Sequence, residues 1–495
     1  MAERLCLVLD FGASNGRAVT ARYDGRRFTL EEIHRFENRP VPVGGTLYWD
    51  FLRLYSELGI SLQKAEREHT TIDSLGVDTW GVDFGFIDRR GKLLADPVHY
   101  RDERRNRAAA DVLRIIPGAE LFHLTGMYPF SIGSVFHVYA MMEDRALEFV
   151  NADRFLMMPD LFNYYLTGVA SNEFTAATLT IMLNQRTNAW QDRILAPLGI
   201  PTHLFSAPTM PGTLLGTIQR PVRRDWDIGA HKVIAPATHD TASAVAGIPA
   251  ARPNLVWAFV SIGTWCVAGM EVGEPIVTQD VYDAGYANEG GAEGRTFLAA
   301  NITGLWILQQ CRQKWIKDGG ADVRWEDIVS AALSADRHEA FINVEEPRFA
   351  RAQPDMPATI AAYCRDTGQA VPETMGESAR CVYESLAMAL KARLSDLSRI
   401  TSKTIELLHL VGGGTRCAPL CQWIANATGI QVLAGPTETA AVGNLIMQLK
   451  GLGDVGSLAD GREIAFLSSR LTEYEPKGQW EEAYAKYRAI TSRGY

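Results

Sequence analysis

The chain has no run of Lys or Arg longer than three, and 58 acidic residues outnumber its 49 basic ones, for a formal charge of -9. That balance argues against a nucleic-acid partner. Long apolar runs are missing too. The uncharged stretch 255–270 falls short of the roughly 20 residues a membrane helix needs, and it carries Ser, Gly and Thr. Met1-Ala2-Glu3-Arg4 leads into five apolar residues before Asp10, shorter than a signal-peptide core, so a cytoplasmic chain without a membrane partner is expected. Cysteine is sparse: seven residues, an odd count without framework spacing, fit a reducing compartment. Cys417 and Cys421 stand four apart on an expected helix and lack the His or second Cys pair of a zinc site. Cys364 and Cys381 flank a loop with Gly and Pro and can pair only where the fold brings them together.

Familiar nucleotide signatures are also missing. There is no GxxxxGK[ST] and hence no P-loop, and no GxGxxG after a strand and hence no dinucleotide fold. Asp-Phe-Gly occurs at 10–12 and 83–85, but the other protein-kinase signatures do not accompany it.

What is present is a pattern of apolar strands ending in small-residue turns. A chain of 495 residues exceeds one ordinary core and implies two or three domains. Strands are expected at 5–10, 18–23 and 28–33 as a meander, and a second pair at 72–77 and 81–87. Helices are expected at 134–148 and 159–166. A domain break is placed at the Gly- and Pro-bearing segment 247–253, dividing the chain into 1–248 and 249–495. Beyond it, 255–269 repeats the order of 5–20, apolar strand, Gly turn with a hydroxyl residue, apolar strand, which suggests an internal duplication. An amphipathic helix at 378–397, a strand at 405–411, a helix at 419–427, a strand at 431–433 and a helix at 440–449 mark this part as α/β.

Four places carry candidate chemistry. In 237–245, Thr238, His239, Asp240 and Thr241 follow an apolar strand, so Asp240 is either a general base beside His239 or part of a helix cap. The turn Gly12, Ala13, Ser14, Asn15, Gly16 and Arg17 offers backbone N–H groups to phosphate, with Asp10 placed to hold Mg²⁺ through water; an ordinary hairpin is the plain alternative. Gly263 and Thr264 form the matching turn after 255–261, where Ser261 replaces Asp10, and Gly412-Gly413-Gly414 permits close approach of a ligand. Asp78, Trp80 and Gly81 suit a polyhydroxyl acceptor, although Trp80 serves equally as a core aromatic. Asn301 precedes an expected helix beginning near Gly304 and either caps it or meets a ligand.

VLDFGASNGR, GVDTWGVD, PVHYRD, MPDLFNYYLTG, THDTASAV, SIGTW, NEGGAEGR, NITGLWILQ and LVGGG, in this order, resemble the FGGY carbohydrate kinases nearly end to end, most closely the branch that phosphorylates L-rhamnulose. The resemblance implies a two-lobed, actin-like (ribonuclease H-like) α/β fold with the active site in the interlobe cleft. It implies transfer of the ATP γ-phosphoryl group to the C1 hydroxyl of the ketose, with ATP and Mg²⁺ as cofactors. Asp240 would be the base, with His239, Thr241, Gly81 and Asn301 on the sugar. Ala13 to Arg17, Thr264, Gln309 and Gly413 would line the nucleotide site. A kinase of another ketose or polyol (L-fuculose, xylulose, ribulose) is the alternative, and a non-catalytic actin-fold nucleotide sensor a remote one. The branch carries Asn where this chain has Gly133 and Gln where it has His137, which leaves the sugar open. Monomer and homodimer are both open.

Overall fold

In the computed structural model, which describes residues 3–69, 71–252, 254–319 and 322–492, the apolar run that opens the sequence becomes strand β1 (Arg4–Phe11), buried on both faces. Side-chain alternation explains how: Leu5, Leu7 and Leu9 enter one core, Cys6 and Val8 another. Met1, Ala2 and Pro253 of the expected domain break lie outside the described residues.

Two compact units make up the chain. The first comprises 1–251, 271–298 and 439–469; the second comprises 252–270, 299–438 and 470–495. The second half of the sequence thus returns two segments to the first unit.

The first unit is organised on strands β1, β2 (Asn15–Tyr23), β3 (Phe28–Glu37), β4 (Ser74–Thr79), β5 (Thr213–Thr217) and β6 (Lys232–Ala235), in the order β5-β6-β4-β1-β2-β3. The expected meander is present: β1, β2 and β3 are antiparallel, and the turn sets Asp10 opposite Arg17 and Phe11 opposite Gly16. The pairing expected between 72–77 and 81–87 is not. β4 runs parallel to β1 and β6, and only Phe84–Ile87 is a strand there, antiparallel to Arg154–Met157 in a separate sheet. The cause is a bend: Val82 takes a left-handed φ of 68° and Asp83 N–H donates to the Gly81 carbonyl, which carries the chain out of the sheet.

Helix Phe51–Glu68 covers one face of this sheet with Leu54, Leu58, Leu62 and Ala65, a helical stripe started by Asp50, which caps Arg53 N–H. Helix Thr439–Leu452 covers the other with Val442, Leu445 and Leu449. That helix meets helix Asp240–Ala246 backbone to backbone. A Cβ on Gly443 would lie 1.8 Å from the Ser243 carbonyl, and one on Gly247 2.1 Å from that of Thr439. The expected helix 134–148 ends at Glu143, and Arg145 turns left-handed (φ 50°) before a short helix Leu147–Val150.

In the second unit the strands are β7 (Trp257–Ile262), β8 (Trp265–Val272), β9 (Thr296–Thr303), β10 (Leu407–Val411), β11 (Gln431–Ala434) and β12 (Thr472–Tyr474). Six strands of a seven-stranded sheet thus run in the order β12-β11-β10-β7-β8-β9, which repeats the first unit's pattern. β7 is antiparallel to β8 and parallel to β10, as β1 is antiparallel to β2 and parallel to β4. Strand order therefore supports the duplication read from 5–20 and 255–269. Helix Met375–Thr401, longer than expected, is started by a capping box between Thr374 and Glu377. All seven cysteines are free thiols, and those of Cys364 and Cys381 share a hydrogen bond. Among the described residues no helix is long and apolar enough to cross a membrane.

Candidate active site

Asp240 is the first residue of helix Asp240–Ala246, whose N-cap, His239, makes no side-chain cap. The two threonine hydroxyls beside it do not cap the helix but donate to carboxylates. Thr238 Oγ1 donates to Glu173 Oε2 at 2.6 Å, and Thr241 Oγ1 donates to Asp240 Oδ1 at 3.1 Å. His239 Nε2 stands 3.4 Å from Asp240 Oδ1. Burial, then the nearby Asp10 carboxylate, push Asp240 up to about 7, with 31% of its side chain still exposed. Burial pushes His239 down to about 3, so its ring is neutral. A carboxyl poised near neutral pH beside a neutral imidazole can accept a proton from a bound hydroxyl.

A buried carboxylate that the sequence did not reveal holds this segment. Glu173 Oε2 accepts from the N–H groups of Thr175, Ala176 and Thr238 and from two threonine hydroxyls. His239 N–H in turn donates to Thr175 Oγ1 at 3.2 Å. Glu289 lies 3.7 Å from His239 Nδ1 and also went unmarked. Gly81 sits against the same ring. A Cβ there would be 2.2 Å from the end of Leu179 and 3.3 Å from His239, so any larger residue would displace both side chains.

Trp80 and Asp78 are placed differently from the acceptor reading. The Trp80 ring is buried 4.1 Å from that of Trp49, and both indoles donate to Asp83 Oδ2, which makes Trp80 the core aromatic. Asp78 is wholly buried on Asn444, with Oδ1 unpartnered, and burial and Asp10 hold its carboxyl well above the ordinary range. His137 is likewise interior, its Nδ1 within 3.0 Å of Arg105, which pairs with Asp83 at 2.6 Å. A Cβ on Gly133 would stand 2.3 Å from the end of the Ile181 side chain, which would have to shift to admit it.

The phosphate turn is shorter than expected, since β2 already begins at Asn15. Gly12 N–H donates to the Asn15 carbonyl, Asn38 braces the Gly12 and Ser14 carbonyls, and Ser14 and Asn15 are exposed. Arg17 Nε and Nη2 both donate to Asp10 Oδ2. Among the described residues no group of three or more His, Cys, Asp or Glu is arranged to hold a metal ion. The Asp10 carboxylate nevertheless raises the proton affinity of both Asp78 and Asp240, and Asp240 adds to the effect on Asp78, with a buried oxygen of Asp78 left over. With Arg17 already paired to Asp10 Oδ2, the set fits a hydrated cation held by Asp10 through water better than a direct ligand cage.

The second unit holds a cavity of about 870 Å³ lined by Gly263, Thr264, Gln309 and Gly413, four of the residues expected to meet nucleotide. Gln309 donates to Thr264 Oγ1 at 3.3 Å. Gly412, left-handed at φ 83°, turns the chain beside Ile262 and does not line the cavity. The opposite wall was not foreseen: Trp325, Val329 and Leu333, at helical spacing on Trp325–Ser334, present an apolar face, Leu333 being 53% exposed. Asn301 lies within β9 and is exposed, so it caps no helix.

Residues 5–247 match the N-terminal domain of the FGGY family of carbohydrate kinases, and residues 258–452 match its C-terminal domain. A rhamnulokinase of Bacteroides thetaiotaomicron is 35% identical over 482 residues, 97% of this chain and 98% of that protein. Among solved structures, a gluconate kinase of Lactobacillus acidophilus superposes with a TM-score of 0.81 at 15% identity, covering 99% of this chain and 96% of the other. A ligand-bound xylulose kinase from the same organism gives 0.80 at 15% identity, with 99% and 96% covered.

Proposed function

This chain belongs to the FGGY family of carbohydrate kinases, and from that premise we propose that it transfers the γ-phosphoryl group of ATP to the C1 hydroxyl of L-rhamnulose, giving L-rhamnulose 1-phosphate and ADP in the cytoplasm. The chain is a sugar kinase of α/β, actin-like fold. The choice of sugar is supported by the 35% identity to a rhamnulokinase over nearly the whole chain.

Asp240 takes the C1 hydroxyl proton. The observation that carries this role is that Asp240, beside the His239 ring at 3.4 Å and still 31% exposed, is held at a proton affinity near neutral. His239, Thr241, Gly81 and Asn301 contact the sugar, whereas Asp78 and Trp80 support the site from the interior. Ala13 to Arg17 cradle phosphate, and Gly263, Thr264, Gln309 and Gly413 hold the nucleotide, whose base packs on Trp325, Val329 and Leu333. Asp10 would hold Mg²⁺ through water, and the ion would supply charge neutralisation to the phosphates. Phosphoryl transfer needs positioning and charge stabilisation more than covalent help, and these residues supply both.

A coupled ADP-release assay with Mg-ATP and a panel of L-rhamnulose, L-fuculose, L- and D-xylulose, L- and D-ribulose and glycerol tests the reading. Preference for L-rhamnulose is expected. Preference for another sugar would keep the mechanism and replace the substrate.

A further inference from the structure

Glu289 lies on strand Ala287–Gly290 of the first unit, and its side chain is buried. Its carboxyl is 3.7 Å from Nδ1 of His239, a buried ring nitrogen with no hydrogen-bond partner, while Nε2 of that ring faces Asp240 at 3.4 Å. The two residues share one support. Gly290 N–H donates to Thr178 Oγ1 at 3.1 Å, and a Cβ on Gly290 would lie 2.8 Å from both Phe174 and Thr178. The same helix, Phe174–Thr178, carries Thr175, which accepts from His239 N–H. Glu289 and His239 are therefore held in register by one element.

Building on the kinase reading above, we propose that Glu289 is a positioning residue of the acceptor site, donating a hydrogen bond from its carboxyl group to Nδ1 of His239 and so keeping Nε2–H turned toward Asp240 and the sugar. A shift of about 1 Å brings the pair into hydrogen-bond range. The proton is present at neutral pH: burial, then Asp240, push Glu289 up to about 8, and the neutral ring of His239 accepts. The titratable groups that face Glu289 are His239 on one side of the ring and Asp240 beyond it. Loss of the Glu289 proton removes the donor and adds a negative charge near the base. Both effects weaken sugar binding on the alkaline side.

The test is steady-state kinetics from pH 6 to 9.5 on wild type, Glu289→Ala and Glu289→Gln, with L-rhamnulose or the panel ketose that wild type prefers. Wild-type sugar KM should climb as pH rises through about 8. Glu289→Ala should raise sugar KM at least about 10-fold and leave ATP KM alone. Glu289→Gln, whose amide can still donate to Nδ1, should recover most of that loss and abolish the alkaline climb. If Glu289→Ala fails to fold by thermal melt, the Glu289→Gln profile decides alone. Profiles that superpose on wild type, or a Gln variant as impaired as Ala, would overturn the proposal and leave the kinase reading intact; a wild type inactive on every sugar would overturn both.

Discussion

At the residue scale the site depends on Asp240, and its environment fixes how activity follows pH. The base works only as carboxylate, and its proton affinity is raised to about 7, so kcat/KM should rise with pH through that value. Replacing it with Asn should lower kcat by at least about 100-fold with ATP KM nearly unchanged. Stability should move the other way. A carboxyl whose folded pKa is raised binds its proton more tightly when folded, so the cost of its ionisation is absent below the unfolded pKa and grows as pH rises to the folded value. At pH 8 Asp240→Asn should therefore melt above wild type, and an unchanged or lower Tm would contradict the desolvated site. Asp240 was legible because a capping-competent cluster follows an apolar strand. Glu173 and Glu289 were not, since Thr238 lies far along the chain from the first and His239 from the second, and a single carboxylate in a sequence carries no sign of being buried.

At the element scale, helix Asp240–Ala246 is placed by its crossing with Thr439–Leu452, where Gly443 and Gly247 allow backbones to touch. Gly443→Ala should force the helices apart, costing about 1–3 kcal/mol by overpacking. Because Asp240 begins the displaced helix, kcat should fall along with Tm. A stability loss with full kcat would separate the crossing from the base. The first meander and helices such as the one expected at 378–397 were readable from periodicity, but the capping box that starts Met375–Thr401 three residues earlier was not foreseen. Strand partners were not. Alternation marks the residues of β4 but not that the 51–68 helix returns it parallel to β1, and the Val82 bend that removes 81–87 from the sheet leaves no trace in hydropathy.

At the scale of the whole molecule, one strand order is built twice and specialised once. β1 carries Asp10 where β7 carries Ser261, two residues before the respective Gly turns, so the charge-bearing turn belongs to the first unit and the roomy cavity to the second. This division makes substrate binding separable. His239→Ala, in the first unit, should raise sugar KM and spare ATP KM. Leu333→Asp, in the second, should raise ATP KM at least about 10-fold by setting a charge against an apolar ligand face, and spare sugar KM. Because the two side chains belong to different units and act on different substrates, the double variant should show the product of the single effects on kcat/KM, within about 0.5 kcal/mol. Leu333→Asp raising sugar KM as much as ATP KM would remove the apolar wall of Trp325, Val329 and Leu333 from the nucleotide site and return the cavity to a structural gap.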